Sequence, residues 1–167
     1  MSGTPPVIEL IVMSVVDTLW RLNETDYSFQ PADVVRRLNP DVTQPRDGLI
    51  VVEQDQQEEI VGYTDGNVCL VDKTQIINIG VFCMPELGEY EPIDPFINQR
   101  ASDVWRVLMD QTYDGNGSTR FGGQALNSSR CLGVQPMLLP DGAFAGFLIP
   151  LEVHYRHKDN DPTFNGV

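Results

Sequence analysis

Residues 68–84, VCLVDKTQIINIGVFCM, decide the fold because they form the longest stretch of the chain with a strand pattern. In the second half of this stretch, Ile77, Ile79, Val81 and Cys83 stand at every second position. Successive side chains of a strand point to opposite faces of the sheet. The alternation therefore predicts a strand with one face packed on a core, in which Cys83 is a small core residue.

A second strand is predicted on the N-terminal side, at residues 49–53, where β-branched residues follow a turn signal. The polar residues 54–59, QDQQEE, can continue this strand as an exposed arm. Residues 64–67, TDGN, are typical of a hairpin turn. We therefore expect a long strand hairpin that includes residues 68–84.

Two further strands are predicted near the C-terminus, at residues 131–139 and 143–156, with a tight turn at 140–142, PDG. Because proline cannot donate to the ladder, Pro150 predicts that the last strand is an edge strand or contains a bulge. The predicted apolar face of this strand carries Phe147, Ile149, Leu151, Val153 and Tyr155.

Three helices are predicted from apolar spacing, at residues 6–22, 31–38 and 95–111, and Asp94 is the predicted N-cap of the third. Residues 113–130 are rich in Gly, Ser and Asn, which predicts a mobile connector. The third helix is expected to bury Ile97, Ala101, Val104, Trp105 and Leu108, and to expose Gln99, Arg100, Asp103, Arg106 and Asp110.

Length and charge limit the functions that this chain can have. A chain of 167 residues fits one domain, 1–167, with a polar tail at 157–167 that we expect to be mobile alone. The formal net charge of −13 argues against wrapping nucleic acid or binding anionic membranes, since both need clustered Lys and Arg. Three scattered cysteines without a CxxC pair indicate reduced thiols in a cytosolic setting.

The sequence shows no recognisable catalytic motif. His154 and His157 are the only histidines, and side chains three apart in a strand diverge, which disfavours a metal site. The glycine-rich residues 115–123 follow a predicted helix and lack the lysine of a phosphate loop. The acids between Glu86 and Asp94 lie in a proline-rich loop. We therefore predict no enzyme activity, no cofactor and no metal.

Several residues are candidates for contacts with a subunit or a partner. Residues 54–59 are either a solvated face or an interface arm that takes part in strand pairing. Trp20 and Trp105 are core residues by default, although Trp20 lies beside a broad apolar stripe and is also a candidate for contacting a neighbouring subunit. The candidate contacts are Gln54, Gln56, Gln57, Glu58, Glu59, Trp20, Arg120, Phe121, His157 and Lys158.

The order of elements resembles the tail terminator proteins of long-tailed bacteriophages, which cap a finished tail tube and join it to the head. The resemblance covers nearly the whole chain. Its segments are PPVIELIVMSVVDTLWRL, GLIVVE, KTQIINIGVFCMPE, PFINQRASDVWRVLMDQ and CLGVQPMLLPDGAFAGFLIPLEVHYRH.

This resemblance implies an α+β fold in which a mixed, mostly antiparallel sheet carries helices on one face. It also implies a non-enzymatic, hexameric ring in the virion neck, assembled in the host cytoplasm, with DNA passing through the lumen. The implied partners are the tail tube protein on one side and a head-side connector or stopper protein on the other, with no membrane.

Two long segments, 23–47 and 113–130, depart from the simplest members of that family. They leave open a second role in the neck, as a head–tail stopper or connector adaptor. A small-molecule-binding α+β domain is the alternative from a different functional class.

Overall fold

The computed structural model describes residues 4–37, 45–64, 69–84, 93–110, 119–138 and 144–165. Within these ranges the chain forms two helices, and neither combines the length and the hydropathy that a membrane crossing requires. The helices are α1 (Val7–Leu19) and α2 (Ile93–Met109). The strands are β1 (Asp33–Arg36), β2 (Leu49–Thr64), β3 (Leu70–Phe82), β4 (Thr119–Arg120), β5 (Ala125–Leu126), β6 (Arg130–Cys131), β7 (Gln135–Leu138), β8 (Phe144–Lys158) and β9 (Asp161–Asn165).

Seven of these strands form one mixed sheet in the order β1-β2-β3-β8-β6, and β7 and β9 also pair with β8. Only the β1–β2 pair of this sheet is parallel among the described strands, and β4 and β5 form a separate hairpin. The predicted α+β class with a mixed, mostly antiparallel sheet is therefore confirmed.

The main core lies between one face of this sheet and both helices. Alternate residues of β3 and β8 supply the sheet side of the core, and both helices contribute their apolar stripes to the same cluster. The predicted core faces of β3 and β8 are confirmed, as is the placement of the helices on one face. The fully buried sheet residues include Ile77, Ile79, Val81, Phe147, Ile149, Leu151 and Val153.

Residues 33–36 form a strand, so the predicted helix at 31–38 is wrong. β1 pairs in parallel with β2, from Asp33 opposite Leu49 to Arg36 opposite Val52. Its β-branched pair, Val34 and Val35, suits a strand, and a main-chain ladder to a segment distant in sequence outweighs local helix preference.

Pro150 lies in a central strand, so the first of the two expectations, an edge strand, is wrong. β8 does contain an irregularity in its pairing with β7, where Gly146 and Phe144 lie opposite consecutive residues, but it is not at Pro150. β8 pairs with β3 on one side and with β6 and β7 on the other. The Pro150 carbonyl accepts a hydrogen bond from Leu132 N at 2.8 Å. Since the N–H and C=O of a strand residue point to the same neighbour, the missing donor faces residues 132–134, which interrupt the strand predicted at 131–139.

The C-terminal segment forms strand up to Asn165, and the expected mobility of residues 157–167 alone stays a prediction. β8 continues to Lys158, and β9 turns back onto it, with His157 opposite Asn165. The turn is held by Asp159 N, which donates to Cys69 O at 3.0 Å. Residues 65–67 and 140–142 of the two predicted turns, the loop acids from Glu86 to Glu91, and residues 115–118 of the glycine-rich stretch lie outside the described residues.

Candidate interaction surface

The most prominent surface of the sheet is the part of β2 that extends beyond β1, residues 53–64, which we call the β2 arm. β1 ends at Arg36, opposite Val52, whereas β2 continues to Thr64, opposite Leu70 of β3. Among the described residues, no strand pairs with the outer edge of the β2 arm. The prediction that residues 54–59 continue the strand is confirmed.

Four hydrogen bonds fasten the inner side of the β2 arm to the sheet. Gln54 Nε2 donates to Gln75 Oε1 at 3.1 Å, and Gln75 in turn donates to Asp55 O. Glu58 accepts from Lys73 Nζ at 2.6 Å and from the Tyr155 hydroxyl. Gln54 and Glu58, both candidate partner contacts, are therefore committed in part to holding the arm in place.

Four further described side chains of the β2 arm face solvent. Glu59 is exposed, and Ile60, Val61 and Tyr63 are 51%, 54% and 60% exposed. Gln56 and Gln57 belong to β2, but their side chains lie outside the described set. The register shifts between Gln54 and Glu58 and between Ile60 and Gly62, which indicates bulges of the kind that discourage indiscriminate edge pairing.

A polar groove of about 610 Å³ lies where β1 ends and the β2 arm begins. Its walls include Arg36, Arg37, Glu53 and Gln54. Arg37 has a φ of 57°, a left-handed conformation that ends β1, and its Nε lies 3.5 Å from Glu53 Oε1. The edge of β2 is thus accessible from its first residue beyond β1.

Several exposed apolar residues lie away from the β2 arm; besides Met13, Met84 and Phe164, they form the two surfaces described next. Trp20, the C-cap of α1, is 47% exposed, so its default assignment to the core is wrong. On the far side of β8, Leu132 and Val134 are each 48% exposed. Val134 and the half-buried Trp105 line a groove of about 600 Å³ over α2.

The side chains of three further candidate contacts are engaged inside the subunit, and a fourth candidate, Lys158, is half-buried. Phe121 is buried in the core with a φ of 51°, and Arg120 binds Asn127 Oδ1 at 3.1 Å and Met109 O at 3.3 Å. His157 is buried, with its Nδ1 2.7 Å from the carbonyl oxygen of the half-buried Lys158. The burial of Phe121 and His157 corrects the expectation that they face a partner.

The predicted polar face of α2 is covered by the segment that precedes β1, which corrects the expectation that Arg100 and Asp103 are exposed. Asp103 is buried and accepts a hydrogen bond from Ser28 N at 2.7 Å. Arg100 stacks on Phe29 at 4.7 Å, and Arg106 stacks on Tyr27 at 4.4 Å. Tyr27 and Phe29 are the feature of the sequence that could have predicted this packing, since arginine side chains favour the faces of aromatic rings.

Among the described titratable side chains, Glu152 contacts both His154 and Arg130. His154 Nε2 lies 3.1 Å from Glu152 Oε1, and Arg130 Nε donates to the same oxygen at 3.0 Å. Burial favours the neutral acid, but the contact with His154 and the charge of Arg130 together hold the pKa of Glu152 below its ordinary value. Within the described ranges, no group of three His, Cys, Asp or Glu is placed to hold a metal ion.

Burial suppresses the reactivity of two cysteines. It raises the pKa of the Cys83 thiol to about 11, an effect that Arg100 partly offsets, and that of Cys131 to about 12, partly offset by Arg120. Cys69 is exposed. Since the thiolate is the reactive form, we expect one thiol to react fast with a disulfide reagent at pH 8, and the other two at least about a hundred-fold more slowly until the chain unfolds. Two fast thiols in the folded protein would contradict this.

No family model matches this chain, and a comparison with curated proteins also finds no match. A function is therefore assigned from the surfaces of the chain itself.

Proposed function

We propose that this chain is a ring-forming structural protein of the neck of a long-tailed bacteriophage, where it caps the completed tail tube and joins it to the head. The order of elements resembles that of tail terminators, and the α+β class that this resemblance implies agrees with the structure. In this role the protein carries out no catalysis, and its partners are the tail tube and a head-side connector or stopper protein.

The observation that carries the proposal is the presence of two different apolar surfaces on one subunit. One is Trp20 at the end of α1, and the other is Leu132 and Val134 beside Trp105. A closed ring of identical subunits needs two unlike, complementary patches, because every subunit contacts its neighbour head to tail. Trp20 of each subunit then packs on the Val134 surface of the next.

The charge of the chain fits a conduit for DNA. A protein holds DNA mainly by replacing counterions with Lys and Arg. At a net charge of −13, a ring of these subunits gains little from that process, so DNA can pass without sticking. The same reasoning suits the stopper or adaptor role, and the partner that binds the ring distinguishes the two: the tail tube for a terminator, the portal side for a stopper.

The groove over α2 favours a second candidate function, binding of a small apolar molecule. Its volume of about 600 Å³ and its lining by Ala101, Trp105 and Val134 are within the range of ligand sites. A ligand that binds only the native state raises the melting temperature, so a thermal-shift screen tests this candidate.

Charge substitutions on the two apolar surfaces test the ring proposal. We expect Trp20→Asp and Val134→Asp each to abolish ring formation and leave a folded monomer, since a buried unpaired charge costs several kcal/mol per contact. Ser128→Asp is the matched control, because Ser128 is exposed outside both surfaces, and it should leave the ring intact. Sedimentation velocity measures the outcome.

Mixing the two variants sharpens this test. Each variant keeps the surface that the other has lost, so an equimolar mixture should form heterodimers that cannot close into a ring. Rings formed by either variant alone, or a mixture that remains monomeric at concentrations where the unsubstituted protein assembles, would contradict the head-to-tail contact between Trp20 and Val134.

A further inference from the structure

We infer that the outer edge of the β2 arm is a strand-addition site for an extended, lysine- or arginine-bearing segment of another protein. This inference goes beyond the ring, whose proposed contacts lie on other surfaces, and it stands whether or not a ring forms. The edge, its charge and the side chains along it each contribute a separate reason.

The main chain supplies the first reason. Residues 53–64 pair with β3 on their inner side, up to Thr64 opposite Leu70, and with no described strand on their outer side. Apart from its two bulges, the open edge presents main-chain donors and acceptors, which are the template that a peptide uses when it adds to a sheet, and the bulges restrict which segments can follow it. The groove bounded by Arg37 and Glu53 leaves space beside the first residues of that edge.

The negative charge of the β2 arm determines what kind of segment can pair with its edge. The β2 arm carries Glu53, Asp55, Glu58 and Glu59, and no Lys or Arg. Two of these carboxylates are paired within the subunit, Glu53 with Arg37 and Glu58 with Lys73, and the arm together with these two partners remains negatively charged. A second copy pairing edge to edge would bring these carboxylates together, and like charges on adjacent strands destabilise the pair. A segment with Lys or Arg at alternate positions places opposite charges there instead.

The distal half of the β2 arm requires that the added segment also carry apolar side chains. Ile60, Val61 and Tyr63 are each more than half exposed, so apolar side chains of an added strand would cover them. The segment that fits this surface is therefore extended, with basic residues beside Glu53–Glu59 and apolar residues beside Ile60–Tyr63.

Short synthetic peptides test the inference on the intact chain. The first probe alternates Lys with Val, and the second replaces each Lys by Glu. The third is the Lys peptide with every main-chain amide N-methylated, because the amides of alternate residues point to opposite edges of a strand and neither edge must be left able to donate. Calorimetry measures affinity, and amide hydrogen exchange locates the site. We expect the Lys peptide to bind, to slow exchange in residues 53–64 by about ten-fold or more, and to lose affinity as salt is added.

Variants of the protein show whether the charge acts at this edge. Glu59 is exposed, and we expect Glu59→Lys to lower affinity for the Lys peptide by roughly 3- to 10-fold. Glu24→Lys is the matched control, since it makes the same change at an exposed residue outside the β2 arm and should leave affinity within about two-fold.

Four outcomes would overturn the inference. They are no binding of the Lys peptide, equal binding of the Lys and Glu peptides, equal binding of the N-methylated peptide, and protection outside residues 53–64. A fifth would replace the occupant: if the arm amides of the protein alone become protected as its concentration rises, a second copy takes the edge and the basic segment does not.

Discussion

Gly146→Ala should destabilise the protein more than any other small substitution in the sheet. Gly146 lies opposite Phe82 where β8 meets β3, and it has a φ of 149°, which is open to glycine alone. A Cβ at this position would lie 1.9 Å from the Val81 carbonyl oxygen, and main-chain atoms of a central strand cannot move aside. We expect a loss of about 3–5 kcal/mol in the free energy of unfolding, measured by urea titration.

Gly133→Ala separates the steric clash from backbone strain. Gly133 has nearly the same φ, 144°, but no atom lies within 4 Å of the position of its Cβ. This variant should lose only the strain energy, about 1–2 kcal/mol. Equal losses for the two variants would mean that the close approach of β8 to β3 at Gly146 is not what the substitution disturbs.

Arg100→Leu should have the second largest effect. Arg100 is a buried residue, with 8% of its surface exposed. Its guanidinium lies between the rings of Phe29 and Phe96 and donates to both carboxylate oxygens of Asp47, at 2.8 and 2.9 Å. Removing one member of a buried pair leaves the other uncompensated. Because the Asp47 side chain is 38% exposed and also accepts from Met84 N, solvent and that donor reduce the cost, and we expect a loss of about 2 kcal/mol.

An exposed pair provides the comparison for Arg100. Arg46 lies 3.4 Å from Asp33 with 59% of its side chain exposed, so Arg46→Leu should change the unfolding free energy by less than about 0.5 kcal/mol. Thermal unfolding of the two variants, Arg46→Leu and Arg100→Leu, at low and at high salt measures the loss of stability in each. If Arg46→Leu costs as much as Arg100→Leu, burial between the two phenylalanines is not the source of the stabilisation.

Strand alternation allowed the sheet core to be predicted, because burial on one face leaves a local pattern. Ile77–Val81 and the apolar face from Phe147 to Tyr155 follow that pattern in both sequence and structure. β1 could not be found in this way. Residues 33–36 have neighbours that are compatible with a helix, but they form a strand because they pair in parallel with β2. That pairing joins segments distant in sequence, so no local pattern reveals it.

The candidate surface was predicted only in part, for a related reason. Residues 54–59 are polar on every side, so an exposed arm was the natural prediction. The exposure of Trp20 and the burial of Arg100 and Phe121 depend on where residues from other parts of the chain come to lie. A helical stripe shows which residues are apolar, but it does not show whether a second segment covers the polar side, as residues 26–29 cover α2.

The fold separates the surfaces that the proposed functions need. The sheet places the β2 arm on one side of the β3–β8 pair, and Leu132 and Val134 on the other. One subunit can therefore contact its neighbours in a ring and still offer a strand edge to a different protein. Loss of peptide binding with rings intact, or the reverse, would show that the two interactions are independent.

Negative-stain imaging of the purified protein tests the central claim most directly. A tail terminator should give closed rings of one size, with a central hole wide enough for duplex DNA and, from the family resemblance, six-fold symmetry. Single compact particles without a hole at every concentration, together with a monomer mass in sedimentation, would contradict the claim.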